Sequence, residues 1–178
     1  MPFDFPILYF IQENIVSPFF NNIMIWASIL GEYGAVWLSI AFALLLSPKT
    51  RTCGILIICA MAVCFITGEL ITKNLVCRVR PCFQDLTVNM LVERPDSYSF
   101  PSGHSSSSFA AASVISYFSK KIGAIVLLLA GVIAFSRMYL FVHFPSDVFT
   151  GILWGIIGAL LTIFIYRKFF DPNLKGLV

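Results

Sequence analysis

Six apolar runs, separated by short polar breaks, occupy most of the chain between Phe19 and Tyr166, and no other feature limits the fold as severely. The runs cover residues 19–30, 35–47, 53–76, 104–119, 122–139 and 145–166. A segment inside hydrocarbon must pair its own backbone N–H and C=O groups, which a helix does within itself. Spanning the hydrocarbon takes about 20 apolar residues, so the first two runs are short for complete crossings. Only 12% of the 178 residues are charged, against about 25% in an ordinary soluble domain. These features predict an all-α, polytopic membrane bundle of about six transmembrane helices. The length leaves no room for a soluble appendage, so residues 1–178 are expected to form one domain.

Ahead of the bundle, residues 3–16 place Ile7, Leu8, Phe10, Ile11 and Ile15 on one face, with Gln12, Glu13 and Asn14 interrupting. That pattern predicts a short amphipathic helix lying in the membrane interface. The same stretch lacks a basic n-region and carries Asp4 and Glu13, so it does not read as a cleavable signal peptide. Ser17-Pro18 is a helix-start signal, and Gly31-Glu32-Tyr33-Gly34 reads as a turn joining the two short crossings. Two small-residue seams, Ser108/Ala112/Ser116 and Gly151/Gly155/Ala159, would let helices approach closely. Residues 77–100 form the one long polar loop, and long loops in compact proteins are usually functional or disordered.

The basic residues sort by side. Lys49, Arg51, Lys120, Lys121, Arg167, Lys168 and Lys175 fall on one face of the expected layout. Lys73, Arg78, Arg80, Arg94 and Arg137 fall on the other, interleaved with acids. The positive-inside rule makes the first face cytoplasmic. Six crossings would then put both termini inside, with residues 77–100 facing outward or toward a lumen. No basic, aromatic-interleaved stretch suggests a nucleic acid.

Three segments meet at that outer face: Lys73-x6-Arg80-Pro81, Pro101-Ser102-Gly103-His104, and Ser136-Arg137-x5-His143-x3-Asp147. A cation at a helix centre costs about 2.5–3.5 kcal/mol on insertion scales, so three beside two histidines need a shared anionic ligand to be tolerable. Phosphoryl transfer uses such a set. Lys73, Arg80 and Arg137 can neutralise phosphate oxygens, each Arg gripping two at once. Backbone N–H groups of Ser102 and Gly103 at a helix start add donors. One helical turn separates His143 from Asp147, so the carboxylate can accept one imidazole N–H and leave the other nitrogen as nucleophile. His104, on a different helix, can act as general acid toward the leaving oxygen. No metal or other cofactor is needed, and the sequence offers no convincing carboxylate cluster to hold one.

The three segments, in this order and at helix ends, resemble the three motifs of the type 2 phosphatidic acid phosphatase (PAP2) superfamily. The match by motif runs from Lys73 to Asp147, and by layout over the whole chain. The resemblance implies a metal-independent hydrolase with a phosphohistidine on His143 and His104 as acid. Vanadate-dependent haloperoxidases share the motifs but are larger soluble proteins. Small size and an outward site resemble bacterial undecaprenyl-diphosphate phosphatases, so the expected substrate is a lipid phosphate or diphosphate within the membrane. A phosphatidylglycerophosphate or phosphatidic acid phosphatase is the near alternative. An anion transporter is the distant one, because it leaves the His–Asp pair unexplained.

Other residues have plainer readings. Glu69, four residues before Lys73, is expected to position that ammonium. Arg78 and Arg94 read as rim charges that attract a headgroup. Cys53, Cys59 and Cys64 read as packing residues, whereas Cys77 and Cys82 flank Arg80 closely enough to raise a disulfide. Trp26, Trp37 and Trp154 read as interfacial anchors or packing.

Overall fold

In the computed structural model, residues 1–174 are described, and every regular element among them is helical. Lys175 of the basic set lies outside the described residues. Helix α1 (Asp4–Asn14) precedes α2 (Pro18–Gly31) and α3 (Ala35–Leu45), and α4 (Arg51–Cys64) follows. A π-helical stretch, Phe65–Thr72, carries α4 into α5 (Lys73–Val76), and the short α6 is Pro81–Gln84. Then come α7 (Gly103–Phe118), α8 (Lys120–Tyr139) and α9 (Pro145–Phe169).

The start signals work as the sequence suggests. Pro18, Pro81 and Pro145 open α2, α6 and α9, where a missing N–H costs nothing. Ser102 and Ser119 cap α7 and α8 by accepting from the N–H groups of Ser105 and Ile122.

Helix α7 is central, packing against α4, α8 and α9. At 16 residues it is about 24 Å long, short of a hydrocarbon thickness near 30 Å. Its neighbours cover it, and its small residues are buried: Ser105, Ser106, Ser108 and Ala110 to Ala112. Both predicted seams are contact lines. A Cβ added to Gly151 would lie 2.6 Å from the Ser102 carbonyl oxygen, and one on Gly155 would lie 2.8 Å from the Ala110 nitrogen. Ser108 accepts a 2.8 Å hydrogen bond from the indole of fully buried Trp37, which fastens α3 to α7.

One expectation is corrected. The turn at Gly31–Gly34 does not join two crossings. Helix α2 runs down α8: Tyr139 at the end of α8 bonds Ser17 and Asn21, and Gly31 sits against Ile133 further along. The chain then continues the same way, with Gly34 facing Met61 and Gly54 so close to the Ala41 carbonyl oxygen that an added Cβ would lie 2.6 Å from it. Runs 19–30 and 35–47 are therefore two halves of one broken pass, and Pro18–Leu45 is one of four stretches long and apolar enough to cross a membrane. The others are Arg51–Gln84, Lys120–Tyr139 and Pro145–Phe169. With the shorter α7, the described residues make five passes. The odd number moves the amino-terminal residues to the end of the bundle that carries His143, opposite the α9 C-terminus. Two adjacent left-handed residues, Tyr33 (φ 49°) and Gly34 (φ 69°), form the break.

Helix α1 lies across that end, but the residues expected on one apolar face are divided between buried and exposed sides. It buries Leu8 and Ile11, and Gln12 donates to the Tyr139 carbonyl at 2.9 Å. Phe3, Ile7 and Phe10 remain exposed. Lys49, Arg51, Lys120, Lys121, Arg167 and Lys168 gather at the opposite end, at the α3–α4 turn, the α7–α8 turn and the end of α9.

Candidate active site

Residues of α2, α3, α4, α5, α7 and α8, with loop residues 92–97, line a cavity of about 900 Å³. Lys73, Arg80, His104, Arg137 and His143 line its polar part, with Gly103 beside them. Ile25, Ile29, Leu38, Ile58, Met61 and Phe65 line an apolar part that continues between the broken pass and α4. The three motifs thus meet in one space.

His143 stands at the centre and is 2% exposed. Its Nε2 lies 2.9 Å from Arg80 Nη1, and a guanidinium can only donate. Nε2 is therefore the lone-pair nitrogen, and the ring proton sits on Nδ1, 3.6 Å from Asp147 Oδ2. Burial, and then the charges of Arg80, Arg137 and Lys73, hold His143 well below the ordinary imidazole range. Its lone-pair nitrogen faces the cations and accepts from Arg80. Asp147 is fixed from all sides. Oδ2 accepts from Ser99 Oγ at 2.5 Å and from the Phe144 N–H at 2.9 Å, while Oδ1 accepts from Arg78 at 2.5 Å.

The cations differ in how firmly they are held. Arg80 donates to the Ser97 carbonyl (2.6 Å), the Ser97 hydroxyl (2.9 Å) and the Val142 carbonyl (2.9 Å), which clamps its plane. Lys73 meets both Glu69 oxygens at 2.7 Å, so the expected i,i+4 pair forms. Arg137 is 5% exposed and donates from Nη1 to Ser28 Oγ, yet its Nε has no partner among the described residues. A buried guanidinium N–H without a partner is expensive, and an anion in the cavity would satisfy it.

His104 opens α7 across the cavity. Its Nε2 donates to the Ser28 carbonyl at 3.2 Å, with a Glu32 oxygen 3.9 Å away, which leaves Nδ1 for a reacting oxygen. That carbonyl is available because the helix breaks there: the Glu32 N–H turns back to Ile29 instead. A Cβ on Gly103 would push aside the Glu69 carboxylate, which pairs with Lys73. Ser102 behaves differently from expectation. Its N–H donates to the Asp147 carbonyl at 3.1 Å and its Oγ accepts from Ser105, so it ties α7 to α9 behind the cavity wall. The donors left at this helix start belong to Gly103 and His104.

A sequence profile of the PAP2 superfamily matches residues 51–171, which contain all three motifs. The chain belongs to the PAP2 superfamily. It is 31% identical over 146 residues to the undecaprenyl-diphosphatase of Sulfolobus acidocaldarius, covering 80% of this chain and 69% of that one. Among solved structures it resembles Aquifex aeolicus LpxE with a TM-score of 0.78 and 29% identity, over 90% of this chain and 94% of the other. It also resembles the transmembrane PAP2 phosphatidylglycerolphosphate phosphatase of Bacillus subtilis, at TM-score 0.72 and 25% identity, over 87% and 80%. The protein is thus an integral membrane hydrolase of the PAP2 lipid phosphatase type.

Several groups at this PAP2 site escape sequence reasoning. Ser97 and Ser99 lie in the polar loop, where nothing in their spacing distinguishes them from neighbouring serines. Ser28 sits in the first pass, on a helix that carries no motif. Arg78 is not the rim charge expected. It donates to Asp147, Ser146 and Asp4 and lies 4.0 Å over the Phe144 ring. Arg94 lines the cavity and donates to the Cys82 carbonyl at 3.0 Å. Cys77 and Cys82 are both free thiols.

Proposed function

We propose that this PAP2 protein hydrolyses a polyprenyl diphosphate, undecaprenyl diphosphate first among candidates, at the extracytoplasmic face through a phosphohistidine on His143. The observation that carries the reading is the unpartnered, buried Nε of Arg137 on a residue that lines the same cavity as His143. Together they define a point where a tetrahedral anion would meet a nucleophile. The terminal phosphate sits among Lys73, Arg80, Arg137 and the Gly103 N–H. His143 Nε2 attacks phosphorus, a P–N bond forms, and the bond to the bridging oxygen breaks. Protonated His104 delivers its Nδ1 proton to that oxygen, releasing the lipid monophosphate. Neutral His104 then takes a proton from water as the water oxygen attacks phosphorus. The P–N bond breaks and inorganic phosphate leaves. Asp147 holds the Nδ1 proton throughout and stabilises the imidazolium. The apolar part of the cavity supports a lipid substrate, because the first tail segments can leave water beside the headgroup.

The carrier-lipid reading rests on the Sulfolobus relative's name and on the layout of basic residues. The phosphatidylglycerolphosphate phosphatase among the structural relatives keeps a phospholipid monoester as the competing substrate. Purified protein in EDTA should be given equal amounts of undecaprenyl diphosphate, phosphatidylglycerophosphate and phosphatidic acid. Fastest phosphate release from the first supports the proposal, and a preference for either phospholipid overturns the substrate. Turnover by His143→Ala above about a hundredth of wild type would remove the nucleophile assignment, since such losses usually span several orders of magnitude.

A further inference from the structure

Asp4, in α1, lies outside the family-matched residues 51–171, yet it is 1% exposed and bonds Ser146 and Arg78 beside the site. Oδ1 accepts from the Ser146 N–H at 3.0 Å, and Oδ2 from the Ser146 hydroxyl at 2.8 Å and Arg78 Nη2 at 2.6 Å. The terminal amine of Met1 also reaches Oδ2, at 3.0 Å. The other arm of Arg78 donates to Asp147 Oδ1 at 2.5 Å. Hydrogen bonds therefore link Asp4, Arg78 and Asp147, and Asp147 Oδ2 stands 3.6 Å from His143 Nδ1 with Ser99 Oγ close to both.

We propose that Asp4 and Arg78 are positioning residues for the nucleophile, acting through Asp147. The inference rests on His143 as the nucleophile. Docking α1 does not need a buried carboxylate: Leu8, Ile11 and the Gln12–Tyr139 bond already hold the helix, and burying charge is costly. The arrangement has an electrostatic use. One guanidinium is shared between two carboxylates, and the ammonium that also meets Asp4 sits on the exposed Met1, where water screens it, so Arg78 does not neutralise Asp147 by itself. Without Asp4, Arg78 would pair with Asp147 alone and cancel its field at the imidazole. The grip of Arg78 on Ser146 and its stacking on Phe144 also fix the first turn of α9, and the Phe5 ring meets Phe144 edge-on at 5.2 Å.

Charged and titratable groups facing His143 come from several elements: Lys73 from α5, Arg80 at the start of α6, His104 from α7, Arg137 from α8 and Asp147 from α9. Neither variant below alters any of these. Asp4→Asn keeps the side-chain shape and removes a negative charge, which makes His143 harder to protonate. Arg78→Gln removes a positive charge, which makes it easier to protonate. Purified variants would be assayed on dioctanoyl phosphatidic acid in detergent micelles, with kcat and KM measured across pH and melting followed in parallel.

Both variants should lose between about ten- and a hundredfold in kcat, with KM within about twofold of wild type. The acid limb of kcat/KM should move to lower pH in Asp4→Asn and to higher pH in Arg78→Gln. A merely structural role lowers melting and the plateau together but leaves the limb in place, and that result overturns the proposal. So does a wild-type kcat in Asp4→Asn, or a shift in the same direction in both. His143→Ala in the same assay separates the two ideas. If it still turns over, the nucleophile assignment is wrong. If it is dead while Asp4→Asn is normal, only the positioning role fails.

Discussion

Replacing Gly151 by Ala should damage catalysis without touching a reacting group. Gly151 lies one turn after Asp147, on the face of α9 that presses on the start of α7. A Cβ there would stand 2.6 Å from the Ser102 carbonyl oxygen and 2.9 Å from Ser105 Cβ. The nearer atom is backbone, and it cannot rotate away. Restoring ordinary contact, near 3.5 Å, requires α7 and α9 to part by roughly 1 Å. That opening stretches the 3.1 Å bond between the Ser102 N–H and the Asp147 carbonyl. It also moves His104, on α7, away from His143 and Asp147. Overpacking of this kind costs about 1–3 kcal/mol of stability, and a 1 Å misplacement of reacting groups can cost about a hundredfold in rate. The assay is phosphate release from dioctanoyl phosphatidic acid, with detergent-solubilised protein checked by thermal melting. Gly131→Ala in α8 is the control, because a Cβ there meets nothing within 4 Å. The control should be neutral, or more stable by up to about 1 kcal/mol from helix propensity. A Gly151→Ala enzyme with wild-type kcat/KM and melting would refute the idea that this seam sets the distance between the two histidines.

Arg80→Lys and Arg137→Lys should each lose most activity although charge is kept, because an ammonium cannot hold the clamp to Ser97 and Val142 or offer two parallel bonds to phosphate. Near-normal kinetics in both would mean that the site uses net charge alone. Gly31→Ala should slow turnover, since its Cβ would fall 2.8 Å from His104 Cδ2, and unchanged rapid-quench kinetics would contradict this. Burial alone would raise the Asp4 pKa, but hydrogen bonds from Arg78 and Ser146 outweigh it and leave it below 3.8. The stability that this charge supplies is complete above that value and is lost as pH falls through the lowered one, so melting measured down the acid range should show a step that Asp4→Asn lacks. In a background lacking the five native cysteines, Asn14→Cys and Asn89→Cys should react with an impermeant thiol reagent in intact cells, and Lys121→Cys should not. The reverse pattern would put the site on the cytoplasmic face.

The motif residues were legible because their chemistry is costly anywhere else. Cations and histidines at the ends of apolar runs have few structural uses, so Lys73, Arg80, Arg137, His104, His143 and Asp147 could be grouped before any fold was known. The seams on α7 and α9 were legible for a related reason: small residues at four-residue spacing let membrane helices touch. The partners that hold the site were not. Ser28, Ser97 and Ser99 act through single hydrogen bonds made across the fold, and a serine in a polar loop or an apolar helix carries no periodic signal. Arg78 was misread because its neighbour Arg80 satisfied the motif spacing. The role of Arg78 depends on Asp4, which is 74 residues away and belongs to a helix with no motif at all.

The first pass of the bundle shows why counting apolar runs fails here. Gly31-Glu32-Tyr33-Gly34 has the composition of a turn, and its backbone does turn, at two consecutive left-handed residues. A turn of that composition suggests a surface position, since loops normally need water for their free backbone groups. In this protein the break faces a cavity that contains polar groups of its own, and non-helical backbone at membrane depth is tolerable under that condition. Gly31 must lack a side chain because Ile133 and His104 occupy its surroundings, at 2.6 and 2.8 Å from where a Cβ would be. The break then releases the Ser28 carbonyl from the helix ladder, and that carbonyl takes the Nε2 proton of His104. An unbroken helix would have kept Ser28 for its own backbone and left His104 without a fixed tautomer. The interruption that disguised one crossing as two is thus the same feature that aims the proposed acid.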